Sequence, residues 1–121
     1  MGDHYLLNLY GCNPRKLDDE MLLRQIIEIA VYKGSMTLLN MMGHKFQPQG
    51  VTVIALLAES HVSIHTWPEK REAAVDVYTC GTKANPELVC QYIREELNAE
   101  QHTIEYVKRL KEFETVSLDT N

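Results

Sequence analysis

Two strand-like runs in this chain follow each other with almost nothing between them. Val51 to Ala58 (VTVIALLA) is nearly continuously apolar, while His61 to Trp67 (HVSIHTW) alternates with a two-residue period. Only Glu59 and Ser60 separate them. A parallel crossover needs about a dozen residues or more, so this connection cannot carry one. The two runs must fold back as antiparallel neighbours, with Glu59-Ser60 at the reversal.

The remaining sequence extends this hairpin. His4 to Tyr10 reads as a strand closed by Gly11. Leu17 to Lys33 reads as one helix, with Asp18 and Asp19 in its first turn and Gly34 as its stop. Met36 to Met42 reads as a strand, and His44 to Gly50 as a loop around Pro48. Ala73 to Thr79 is a further strand. Asn85-Pro86-Glu87 opens a second helix, with Asn as cap and Pro at the first helical position, running to about Leu97. Thr103 to Leu110 is the last strand, and a polar tail starts at Glu112. Most connections are too short for crossovers, which predicts an α+β fold. Its form is a two-layer α/β sandwich: one mostly antiparallel sheet with two helices on one face. The uncovered face then needs a partner, and a second copy of the chain is the simplest one.

At 121 residues the chain fits one domain, large enough for a core but small for a complete enzyme pocket, so a site shared between subunits is expected. The net charge of -5 and the lack of any basic run argue against nucleic-acid binding. Three cysteines with no CxxC pair argue against a disulfide framework. No signal-peptide pattern opens the chain, and no apolar run approaches the roughly 20 residues that span a bilayer. The cytoplasm is the expected setting.

The reversal carries unusual chemistry. The stretch LAESHVSIHTWPE crowds Glu59, Ser60, His61, Ser63, His65, Thr66, Trp67 and Glu69 together. A serine hydroxyl in a strained turn can attack the carbonyl before it and exchange the amide for an ester. Loss of the serine Cα proton then eliminates the upstream carboxylate and leaves dehydroalanine, which water converts to a pyruvoyl group with release of ammonia. Such a reaction needs a donor for the carbonyl and a nearby histidine. His65 lies a few residues on, and the Thr52 hydroxyl lies on the preceding strand. Taken alone, Ser60 reads first as a turn residue, His65 as a satisfied sheet histidine and Cys80 as a small buried hydrophobe. Cys90 reads as core, and Cys12 as either core or surface. Trp67 reads as packing. Zinc at His61 and His65 is disfavoured, because four residues along a strand separate them by about 13 Å. Ser63 lacks the G-x-S-x-G elbow of a hydrolase nucleophile.

LAESHVSIHTWPE, followed by AAVDVYTCG and preceded by GDHYLLNLYGC and HKFQPQGVT, resembles the S-adenosylmethionine decarboxylase proenzymes of the short prokaryotic, pyruvoyl-dependent type. The likeness extends from about Gly2 to the second helix and weakens after Asn98. It implies cleavage between Glu59 and Ser60 into a leading β chain, residues 1–59, and an α chain, residues 60–121. Ser60 becomes the pyruvoyl group that forms a Schiff base with the substrate amine. His65 resembles the processing histidine and Cys80 the proton donor. Thr52 stands where the family commonly has a serine that assists processing. Phe46 and Glu69 resemble positions that hold the nucleoside, by stacking and through the ribose hydroxyls. The cofactor is then made from the chain, with no metal, pyridoxal phosphate or putrescine site expected.

The resemblance further implies a homodimer of processed αβ units with active sites at the subunit interface. The activity implied is decarboxylation of S-adenosylmethionine to the aminopropyl donor of spermidine synthesis. An ornithine or arginine decarboxylase on the same scaffold is the alternative, since pockets drift faster than cofactor-forming motifs. A non-cleaving binding protein on this fold is a third reading.

Overall fold

The computed structural model describes residues 1–80 and 83–110. The chain runs β1 (Gly2–Tyr10), a short helix α1 (Pro14–Leu17), α2 (Glu20–Lys33), β2 (Leu38–Lys45), β3 (Val51–Leu57), β4 (Ser60–Trp67), a 3₁₀ turn (Pro68–Lys70), β5 (Glu72–Thr79), α3 (Pro86–Glu96) and β6 (Gln101–Arg109). The six strands form one sheet in the order β2-β3-β4-β5-β1-β6. Every neighbouring pair is antiparallel, as the short connections require. The two helical connections join strands that run the same way: β1 to β2 and β5 to β6. Both cross the same face, which produces the predicted two-layer sandwich.

The two-residue period assigns the faces. Leu7 and Leu9 of β1, Val53, Ala55 and Leu57 of β3, Val62 and Ile64 of β4, and Ala73, Val75 and Val77 of β5 are all buried. They meet Leu23, Ile26, Ile27, Ala30 and Val31 of α2 and Val89, Cys90 and Ile93 of α3 in one apolar cluster. These helix positions recur every three or four residues and form one stripe. The opposite face bears Met42, Ile54 and Leu56, which remain exposed in the single chain.

The helix read as Leu17–Lys33 is two helices. Asn13 caps the first, accepting hydrogen bonds from the Arg15 and Lys16 N–H groups. The chain leaves helical geometry at Asp18 and Asp19. Asp19 then caps α2 by accepting from the Leu22 N–H at 3.0 Å. Two aspartates in a row satisfied helix-start chemistry equally well as first-turn charges or as a cap, and tertiary bonds to Asp18 decided the matter. The second strand is displaced as well, spanning Leu38–Lys45 rather than Met36–Met42. His44 is therefore a strand residue opposite Thr52, not a loop residue. The polar tail predicted from Glu112 lies outside the described residues.

Two stability predictions follow from this packing. Leu9→Ala empties a fully buried position at the sheet–helix interface and should cost about 2–5 kcal/mol in urea denaturation. Asp19→Ala removes one cap and should cost only about 1 kcal/mol. Equal losses in the two variants would contradict this division between core and cap.

Candidate active site

The β3–β4 hairpin closes through a two-residue turn, Ala58-Glu59, with Leu57 opposite Ser60. Such turns favour Asn-Gly or a similar pair that accepts positive φ. Neither Ala nor Glu is of that kind, and the unusual geometry appears one residue later. Ser60 has φ of +154°, a region that residues with a Cβ rarely adopt.

Neighbouring segments pin this turn. The Ala58 N–H donates to the Thr37 carbonyl at 2.9 Å. The Thr37 N–H donates to Glu59 Oε1 at 3.0 Å. The Glu59 carbonyl accepts two bonds from Cys80, one from its backbone N–H and one from its thiol, both at 3.1 Å. The peptide carbonyl that the Ser60 hydroxyl would attack is thus already held by two donors. Paired donors of this kind stabilise an oxygen on which negative charge develops.

Cys80 is exposed, whereas Cys12 and Cys90 are buried. Cys90 is core as expected, and Cys12, open from the sequence, is core too. Burial pushes the Cys12 thiol up to about 11 and the Cys90 thiol up to about 12. At neutral pH both are inert protonated thiols, which leaves Cys80 as the accessible one.

A second group of predicted residues gathers at the other end of the hairpin. Thr52 and His65 are paired across β3 and β4, with Thr52 Oγ1 2.9 Å from His65 Nδ1. When Nδ1–H donates to the Thr52 oxygen, Nε2 is left unprotonated and able to act as a base. Beside this pair, Phe46, Gln49, Gly50, Thr66, Trp67 and Glu69 line a cavity of about 390 Å³. Phe46 and Glu69 therefore share one concavity with His65 and Thr52. Trp67 joins them; it is 42% exposed and lines the cavity rather than packing in the core. Its spacing on β4 places it on the face of His61, Ser63 and His65, a signal available in the sequence. Nothing in the sequence pointed to Thr37.

The two groups do not meet within one chain. His65 lies five residues along β4 from Ser60, about 16 Å at the rise of an extended strand. The sequence places His65 near Ser60, but an extended strand carries it away. Between the groups, Asp76 accepts from the Ser63 hydroxyl at 3.3 Å and lies 3.2 Å from His4 Nε2. Ser63 is thereby engaged with a carboxylate rather than with a histidine. Among the described residues, no three His, Cys, Asp or Glu side chains come together in a way that could hold a metal ion. No helix among them is long and apolar enough to cross a membrane.

Comparison with known proteins bears directly on this arrangement. Residues 3–110 match the family model for S-adenosylmethionine decarboxylase. The similarity therefore continues through β6, beyond the Asn98 limit read from the motifs. The S-adenosylmethionine decarboxylase proenzyme of Parasynechococcus marenigrum is 52% identical over 109 residues, covering 90% of this chain and 85% of that protein. The proenzyme of Pyrococcus abyssi is 42% identical over 109 residues, covering 90% of this chain and 78% of that protein. The crystal structure of the adenosylmethionine decarboxylase from Aquifex aeolicus superposes with a TM-score of 0.86 at 37% identity, covering 96% of this chain and 98% of that one. With a match over nearly its whole length and a common fold, the chain belongs to the S-adenosylmethionine decarboxylase family.

Proposed function

We propose that this protein is a self-processing, pyruvoyl-dependent decarboxylase of S-adenosylmethionine. The observation that carries the reading is the Glu59 carbonyl, held by the Cys80 N–H and thiol beside a serine at φ +154°. The strain at Ser60 is relieved when its peptide bond becomes an ester, and the Cys80 donors meet the charge that forms on the carbonyl oxygen. His65 then serves as the base that takes the Ser60 Cα proton, with Thr52 orienting its ring. Cleavage yields residues 1–59 and 60–121.

These residues suit a pyruvoyl group at position 60, since the serine supplies its carbons and the strained turn and paired donors favour its formation. When present, the group offers a ketone to the substrate amine and accepts electrons as carbon dioxide leaves. The remaining work falls to side chains of the protein. Cys80, exposed at the cleavage point, supplies the proton that replaces the lost carboxylate. Phe46 and Trp67 offer aromatic faces to the adenine and to the sulfonium cation. Glu69 accepts from the ribose hydroxyls. The product is the aminopropyl donor for spermidine synthesis. The relatives described above carry the S-adenosylmethionine name, so the ornithine or arginine alternative gains no support from them.

The separation of the two groups supports a homodimer. One chain contributes Ser60 and Cys80, while His65, Thr52 and the Phe46–Glu69 cavity come from a second copy. The exposed sheet face with Met42, Ile54 and Leu56 is the apolar surface available for that pairing.

Denatured intact mass tests the chemistry. The purified protein should give two fragments split at Glu59-Ser60, with the larger one lacking the ammonia of the serine. Ser60→Ala should give one full-length mass. A wild-type chain that stays whole after long incubation would overturn the reading. Thr52→Ser should cleave at least as fast as wild type, and Thr52→Val roughly tenfold or more slower, within the usual worth of acid–base assistance. The shared site has its own test. His65→Ala and Ser60→Ala chains should each remain intact alone, but His65→Ala chains should cleave once the two are refolded together. Failure of the mixture to cleave would place His65 in the same chain as its serine.

A further inference from the structure

The break between α1 and α2 leaves Asp18 outside both helices, where its carboxylate turns to the turn that carries Phe46. Asp18 Oδ1 accepts the Gly50 N–H at 2.9 Å and pairs with Lys45 Nζ at 2.8 Å. Lys45 immediately precedes Phe46, and Gly50 closes the five-residue turn. That turn is closed by a single backbone bond, from the Phe46 N–H to the Gly50 carbonyl at 2.8 Å. One carboxylate oxygen therefore ties both flanks of Phe46 to the helical layer.

A second bond steadies the same junction. The Thr66 hydroxyl donates to the Leu17 carbonyl at 2.6 Å and accepts the Val51 N–H at 2.9 Å. Leu17 and Asp18 thus hold the residues on each side of the β3 entry. Gly50 has φ of +104°, and a Cβ there would lie 3.2 Å from the Thr66 carbonyl oxygen, so the turn depends on glycine at this position. Phe46 itself is 46% exposed at the rim of the cavity, touching His44 edge-on at 4.6 Å between ring centroids. Without the carboxylate, that edge contact and the single turn bond would be left to set its ring.

We propose that Asp18 is a positioning residue for the decarboxylation, which holds the Phe46–Gly50 turn so that the Phe46 ring is set in advance for the planar base of the substrate. This rests on the reading of the Phe46–Glu69 cavity as the nucleoside site. Lys45, then the Gly50 N–H, keep the Asp18 carboxyl below the usual carboxylate range. The clamp is therefore ionised throughout the neutral pH range. A fixed ring spares the substrate the entropy of ordering it, so losing the clamp weakens binding more than it slows chemistry.

The test is steady-state kinetics on S-adenosylmethionine with the processed enzyme and a double-mutant cycle. Asp18→Ala should raise KM about fivefold to tenfold with kcat within about twofold, the net scale of one ordinary lost hydrogen bond, as befits a partly exposed clamp that acts through Phe46. Asp18→Asn keeps the acceptor for Gly50 but loses the ion pair, and should fall between wild type and Asp18→Ala. Phe46→Ala should raise KM on its own, and adding Asp18→Ala to it should raise KM no further. Both Asp18 variants should cleave at Glu59-Ser60 at the wild-type rate. An unchanged KM in Asp18→Ala, or a full additive effect on the Phe46→Ala background, would overturn the proposal. A cleavage defect in both Asp18 variants would overturn it too, because Asp18 would then support the whole half-site. If Phe46→Ala alone leaves KM unchanged, the cavity reading itself is wrong and the proposal falls with it.

Discussion

A two-residue turn leaves no slack between β3 and β4, and this lack of slack organises the molecule. The ladder on either side cannot slip, because a one-residue shift would turn Val62 and Ile64 out of the core. The turn must therefore absorb the closure, and Ser60 takes it as a φ of +154°. Bonds from Thr37 and Cys80 keep it there. Without the packed strands behind it, that geometry would relax. Strain persists at one residue only where the surroundings over-determine it.

The same hairpin keeps the two groups of residues apart. An extended strand carries residues steadily apart, so His65 and Ser60 cannot share one site within the chain. The single sheet leaves one face bare, and Thr52, His65 and Trp67 stand on that face.

The helical layer does more than cover the core. The kink at Asp18 and Asp19 gives one aspartate to the α2 cap and frees the other to reach the Phe46 turn. Tertiary bonding also explains the shift of β2. The ladder pairs His44 with Thr52 and Lys45 with Val51, which carries β2 on to Lys45, where its side chain meets Asp18. Residues at the layer junction thus answer to the loop opposite as much as to their own helix.

Much of this was legible in the residues themselves. Alternation and turn length determined the antiparallel sheet, its buried face and a tight β3–β4 reversal, expected at Glu59-Ser60 and found one residue earlier at Ala58-Glu59, because strand period and closure length are local properties. Asn85-Pro86 determined the start of α3 in the same way. The motif raised Ser60, His65 and Cys80 as candidates, and spacing alone set Trp67 on the face of His65. Other features depended on distant partners. The helix break at Asp18 was ambiguous because two adjacent aspartates fit either assignment. The Cys80 thiol against the Glu59 carbonyl joins residues 21 positions apart, and Thr37 reaches Glu59 across 22. The separation of His65 from Ser60 was hidden because closeness along a chain says nothing about distance once the chain is extended. Sequence determined which chemical groups are present and which face each strand buries. Only the tertiary structure decided which groups meet, because meeting depends on sheet order and on the path of the helical connections.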